Sequence, residues 1–146
     1  TQSPSSAASD VYKRQAQSMV ELSSNKWVVF ILINIFLLIA GFFLPPVAVI
    51  VMTSAILLPV ITTLGFDPYW FAIVFTINME IGLITPPVGL NLYIIKGITP
   101  DVSLSEILKG SIPFMIIMAL AILILCIFPE IVTWLPDKIM GKSLGF

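Results

Sequence analysis

Histidine is absent from all 146 residues. That removes the commonest general base and the commonest transition-metal ligand. There is one cysteine, Cys126, so no internal disulfide forms, and its apolar surroundings make it a small hydrophobe. Charged residues are only 10% of the chain and the net charge is −1, which leaves no basic face for nucleic acid. An intramembrane enzyme would need a nucleophile–base pair or an aspartate dyad, and Asp67 sits at a turn. These absences leave a non-enzymatic protein.

Apolar sequence is what the chain has in excess: 58% hydrophobic residues and a mean hydropathy of +1.08. This places it in the membrane class, as an all-α integral membrane protein. Residues 27–44 form an uncharged run long enough at ~1.5 Å per residue to cross most of a ~30 Å hydrocarbon core. Its one strongly polar residue is Asn34, and Pro45-Pro46 end it. Residues 46–64 gather breakers and hydroxyls: Thr53-Ser54 at the middle, then Pro59, Thr62 and Thr63, with Gly65 as the stop just beyond. Two short arms would each reach about half the core, so the composition predicts a re-entrant helical hairpin with its tip at Thr53-Ser54; a proline-kinked full span is the alternative. Asp67 is placed to cap the next helix, with Pro68 at its first position.

Residues 69–95 form one long apolar run interrupted by Thr85-Pro86-Pro87-Val88-Gly89. Two prolines remove the helical bonds to the carbonyls of Gly82 and Leu83, and Thr85 is pushed from helical dihedrals. Lipid cannot satisfy such groups, so the break must meet protein, water or an ion. A discontinuous helix offers carbonyls at one half-helix end and N–H groups at the other, which is how secondary transporters hold a cation and an anionic substrate group. The expected cation ligands are Thr53, Ser54, Asn78, Gly82, Leu83 and Thr85, oxygen donors suited to Na⁺. Glu80, Pro86, Pro87, Gly89 and Asn91 are candidates for substrate binding or gating. Each polar residue also has a plainer reading, a hydrogen bond between helices. Glu80 costs ~2.5–3.5 kcal/mol at depth and must be paired, protonated or wet; no Lys or Arg of the apolar runs faces it.

Residues 103–110 have the capping-box form, Ser103 with Glu106, and an apolar face, so they predict a short amphipathic arm at the membrane surface. Residues 113–135 read as a plain spanning helix. With a re-entrant hairpin, Lys26, Lys96 and Lys109 share one side, made cytoplasmic by the positive-inside rule; four full crossings would set Lys26 with Lys138 and Lys142 against Lys96 and Lys109. Residues 1–15, polar and Ser-rich, lack the regions of a signal peptide. They read as translated adapter sequence or a solvated loop and are set apart from 16–146.

Gly41-Phe-Phe-Leu-Pro-Pro-Val-Ala48, Ile56-Leu-Leu-Pro59, Leu64-Gly-Phe-Asp-Pro68 and Asn78-Met-Glu-Ile-Gly-Leu-Ile-Thr-Pro-Pro-Val-Gly-Leu-Asn-Leu-Tyr93 resemble the large membrane subunit of TRAP (tripartite ATP-independent periplasmic, DctM-like) transporters. The likeness runs from about Ala16 to Met140. Ala55 and Pro45 depart from it, where proline and an acidic residue are frequent. The resemblance implies the C-terminal third of an elevator-type, Na⁺-coupled permease of the bacterial inner membrane. Its partners would be a small DctQ-like membrane subunit and a periplasmic DctP-like binding protein. Its substrates would be organic acids such as C4-dicarboxylates, keto acids or sialic acids, with no cofactor. The hairpin and broken helix would then move together, with the last span as scaffold. The competing function is an accessory membrane subunit that only holds partners together, whose spans should be unbroken.

Overall fold

The computed structural model describes residues 25–140; the N-terminal segment 1–15 lies outside the described residues. All regular structure among the described residues is helical: α1 (Lys26–Phe43), α2 (Pro46–Thr63), α3 (Pro68–Leu83), α4 (Leu90–Ile98), α5 (Leu104–Ile127) and α6 (Glu130–Met140). α1, α2 and α5 are long and apolar enough to cross a membrane, and the chain is an integral membrane protein.

Helix α1 starts where the Asn25 side chain accepts from the Trp27 N–H at 3.0 Å. It ends at Leu44, held extended by the proline that follows. Its inner face, Val29, Phe30, Ile33, Leu37 and Gly41, recurs at helical spacing and packs on α3. The matching face of α3 is Trp70, Phe71, Val74, Asn78, Met79 and Gly82. The two helices run in the same direction. Phe30 meets Trp70 with ring centroids 5.1 Å apart, Asn78 reaches Asn34, and Gly41 meets Gly82.

The expected re-entrant hairpin is corrected. Residues 46–63 form one unbroken 18-residue helix, and Thr53-Ser54 lie inside it. Hydroxyls that suggested a tip instead bond back into the helix: Thr53 Oγ1 donates to the Val49 carbonyl at 2.7 Å and Thr63 Oγ1 to Pro59 at 2.7 Å. Pro46 occupies the first turn, where a missing N–H costs nothing, and Pro59 removes only the bond to the Ala55 carbonyl. The turn between α1 and α2 is Leu44-Pro45, so the tip of the helical pair falls there.

The break in the third run is present: α3 stops at Leu83 and α4 begins at Leu90. The arm and last span are also redrawn. Leu104–Ile127 is continuous through Pro113, and the capping box of Ser103 and Glu106 opens this long helix rather than a separate arm. Ser111 Oγ helps carry it across, bonding the Ile107 carbonyl at 3.0 Å. The span then ends at Phe128, before Pro129, not at Leu135.

Pro129 also fixes where α5 docks. It has no N–H for the Leu125 carbonyl four residues back. The Trp70 indole supplies one, donating Nε1–H to Leu125 O at 2.7 Å in a buried bond. Trp27, Phe30, Phe66 and Trp70 cluster at this end, with Lys26 Nζ 5.1 Å from the Phe66 ring centre. Lys26, Asp67 and Asp137 line one cleft of about 350 Å³ there. Lys109 lies sixteen residues up α5 from Leu125, about 24 Å away. Lys26 therefore does not share an end with Lys109, which overturns the three-lysine side expected for a re-entrant hairpin.

Candidate functional site

The break is built from the sequence around it. At the end of α3, the Gly82 carbonyl has lost its donor to Pro86, but it is not free: the Thr85 N–H closes on it at 3.3 Å. This corrects the expectation for Gly82. Leu83 keeps the open carbonyl, because the residues three and four beyond it are Pro86 and Pro87. Thr85 is half-buried, and its hydroxyl donates to the Ile81 carbonyl. The proton is thereby committed to the helix and the oxygen lone pairs stay available.

On the far side, Gly89 is buried at φ 51°, the left-handed region, and caps α4. A side chain there would be strained and would put Cβ 2.9 Å from Leu92 Cδ1 and 3.1 Å from the Thr85 carbonyl oxygen. No side chain caps α4, so the N–H groups of Leu90 and Asn91 carry the positive end of its dipole. Pro86 and Pro87 are exposed and Asn91 is half-buried.

A second proline-terminated helix end stands beside the first. Gly41-Phe-Phe-Leu-Pro45-Pro46-Val repeats the pattern Gly82-Leu-Ile-Thr-Pro86-Pro87-Val. In each, two prolines take the donors from the glycine carbonyl and from the next one: Gly41 and Phe42 in α1, Gly82 and Leu83 in α3. The glycines are where the helices touch. A Cβ on Gly82 would lie 2.9 Å from the Gly41 carbonyl carbon and 3.1 Å from its Cα. The C-terminal ends of α1 and α3 thus lie side by side, both negative.

The residues expected at the site divide accordingly. Gly82, Leu83, Thr85 and Gly89 gather at this level with Gly41, Phe42 and Pro45. Thr53 and Ser54 do not: they lie seven and eight residues down α2 from Pro46, about 10–12 Å along its axis. Asn78 is buried at 4% exposure one turn below Gly82. Its Nδ2 donates to the Asn34 carbonyl at 2.9 Å and to Asn34 Oδ1 at 3.1 Å, while Asn34 Nδ2 donates to the Phe30 carbonyl at 2.8 Å. This is an interhelical polar bridge. Glu80 is exposed on the face of α3 turned away from α1. Gly41, Phe42, Pro45 and Pro46 were not expected as site residues. The signal that finds them is the internal repeat of Gly-x-x-x-Pro-Pro-Val.

Comparison with known proteins identifies the family. Residues 7–131 match the family model described as the Tripartite ATP-independent periplasmic transporter, DctM component. That match begins inside the segment 1–15. The C4-dicarboxylate TRAP transporter large permease protein DctM of Vibrio cholerae is 34% identical over 128 residues, 88% of this chain and 28% of that protein. The protein of the same description from Pseudomonas aeruginosa is 37% identical over 122 residues, 84% of this chain and 28% of its own length. The isethionate TRAP transporter permease protein DctMQ of Oleidesulfovibrio alaskensis is 36% identical over 116 residues, 80% of this chain and 18% of its own. The chain therefore spans under a third of the relatives it matches. Its family consists of membrane permeases and not of enzymes. With a family match over most of its length, a broken helix and a second proline-ended helix beside it, the chain belongs to the DctM family of TRAP transporter large permeases.

Proposed function

We propose that this chain forms the cation-binding part of a TRAP large permease that takes up organic anions with Na⁺ across the bacterial inner membrane. The observation that carries it is the contact at Gly41 and Gly82, which sets two proline-terminated helix C-termini side by side. The carbonyls of Gly41, Phe42 and Leu83, with Thr85 Oγ1, are hard oxygen donors gathered at one level of the helix pair, the set that suits Na⁺. The N-terminus of α4, opened by Gly89 and carrying Asn91 in its first turn, presents N–H groups to an anionic substrate group. Cation and anion then bind on opposite sides of one break, each neutralising the other. Coupling follows from that neutralisation.

The organic acid is delivered by a periplasmic binding protein and the permease works with a small membrane subunit, as the family membership supports. Named relatives are described for C4-dicarboxylate and for isethionate, which supports a small organic anion as the substrate class here. The test is uptake into proteoliposomes by the full-length permease carrying this sequence, with its partners. Thr85→Ala should raise the Na⁺ concentration for half-maximal uptake. An unchanged Na⁺ dependence would sink the site.

A further inference from the structure

Tyr69 and Ile73 are exposed on the outward side of α3, but the stripe beside them differs from the exposed faces along the apolar lengths of α1 and α5. Those of α1 (Ile31, Ile35, Phe36) and α5 (Ile117, Leu120, Ile124) are large and apolar, as lipid requires. The α3 stripe runs Ala72, Thr76, Glu80 at i, i+4, i+8, all exposed. Ala72 and Thr76 form a small-xxx-small pair, the spacing that lets a second helix approach closely in a membrane. The Thr76 hydroxyl is folded back onto the Ala72 carbonyl at 2.9 Å, so it leaves the surface smooth. Glu80 stands twelve residues beyond Pro68, about 18 Å along the helix. No Lys or Arg occurs between residues 27 and 95, and Glu80 makes no ion pair among the described residues. An ionised carboxylate facing lipid at such a depth costs ~2.5–3.5 kcal/mol.

We propose that this stripe is the docking face for a transmembrane helix from the part of the permease that lies outside this chain, and that this helix brings a Lys or Arg to Glu80. Three observations favour that occupant. The matched stretch is 28% of the Vibrio cholerae relative, so most of a permease of that length lies elsewhere. The small pair fits a helix and not a lipid chain. An ionised Glu80 is stabilised there by a cation, which the apolar runs of this chain do not supply. The inference goes beyond the proposed cation site: it assigns Glu80 to an interface and leaves transport chemistry to the break.

The test uses the full-length permease in phospholipid nanodiscs, in a cysteine-free background that includes Cys126→Ala. A spin label on Thr76→Cys should be inaccessible both to oxygen and to a water-soluble nickel chelate. Labels on Ile35→Cys and Ile117→Cys should be open to oxygen. High oxygen access at position 76 means lipid, and high nickel access means an aqueous path; either overturns the proposal. Glu80→Gln and Glu80→Leu should both shorten the lifetime of the folded permease in detergent, by about tenfold or more, because each strands a buried cation. A Glu80→Leu permease that outlasts the parent would also overturn it. The Na⁺ dependence of uptake should be unchanged in any Glu80→Gln protein that survives, which separates this failure from failure of the cation site.

Discussion

Adding one methyl group at Gly82 and at Gly41 should have opposite effects, although the two glycines touch each other. Replacing a glycine in a helix interior by alanine ordinarily stabilises it by about 0.5–1 kcal/mol. At Gly41 the new Cβ would meet Met79 Cε at 3.4 Å and Sδ at 3.6 Å. That is the end of a flexible thioether that gives way at little cost, so Gly41→Ala should be neutral or stabilising by up to about 1 kcal/mol. At Gly82 the Cβ would lie 2.9 Å from the carbonyl carbon of Gly41, 3.1 Å from its Cα and 3.1 Å from its oxygen. All three are backbone atoms of a packed helix and cannot rotate aside. Overpacking of this kind costs about 1–3 kcal/mol, and subtracting the helix gain leaves Gly82→Ala destabilising by about 0.5–2 kcal/mol. Thermal denaturation of the purified full-length permease, scored against the parent, gives both values. Gly82→Ala should also weaken Na⁺-dependent uptake, because the two helix ends are forced apart at the proposed site. Equal effects of the two substitutions, or a stabilised Gly82→Ala protein, would refute the close crossing of α1 and α3.

Trp70→Phe should cost about 1–3 kcal/mol by orphaning the buried Leu125 carbonyl, and Pro129→Ala, which restores a helical donor, should remove most of that cost; a double-mutant cycle by thermal denaturation measures the coupling. Asn78→Ala breaks the bridge to Asn34 and should destabilise the permease by about 0.6–1.7 kcal/mol, read by the same melting assay. Cysteines at Gly65 and Asp137, which line one cleft, should label with a membrane-impermeant maleimide from the same side of a sealed vesicle, and a cysteine at Ser105 from the other.

The broken helix was legible because two adjacent prolines admit no other local structure, and the left-handed Gly89 confirms how the chain turns there. The hairpin tip was misplaced because Thr53, Ser54 and Pro59 look like breakers when counted by residue type. Inside an apolar helix, threonine hydroxyls satisfy the carbonyls behind them, so hydroxyl content does not mark a turn. Pro45-Pro46 were read only as a stop. Their resemblance to Pro86-Pro87 becomes meaningful once α1 and α3 are seen to run in parallel. Asn78 was expected at the site from its position beside the break, but which face of α3 it occupies depends on packing with Asn34. Likewise Pro113 and Pro129 look equivalent in sequence. One is absorbed within α5 and the other ends it, and only the second has an indole waiting for the carbonyl it releases.

The parallel course of α1 and α3 has an electrical consequence. Each helix end carries about half a negative elementary charge. At an interaxial distance near 8 Å and an effective dielectric near 20, the two repel by about 0.5 kcal/mol. In an antiparallel pair the same contact would attract. The glycine crossing therefore holds together two ends that electrostatics drives apart, much as a latch holds a compressed spring. A single positive charge entering between them reverses the sign of the force on both. The direction of the backbone alone therefore makes the space between the two ends favour a cation over an anion.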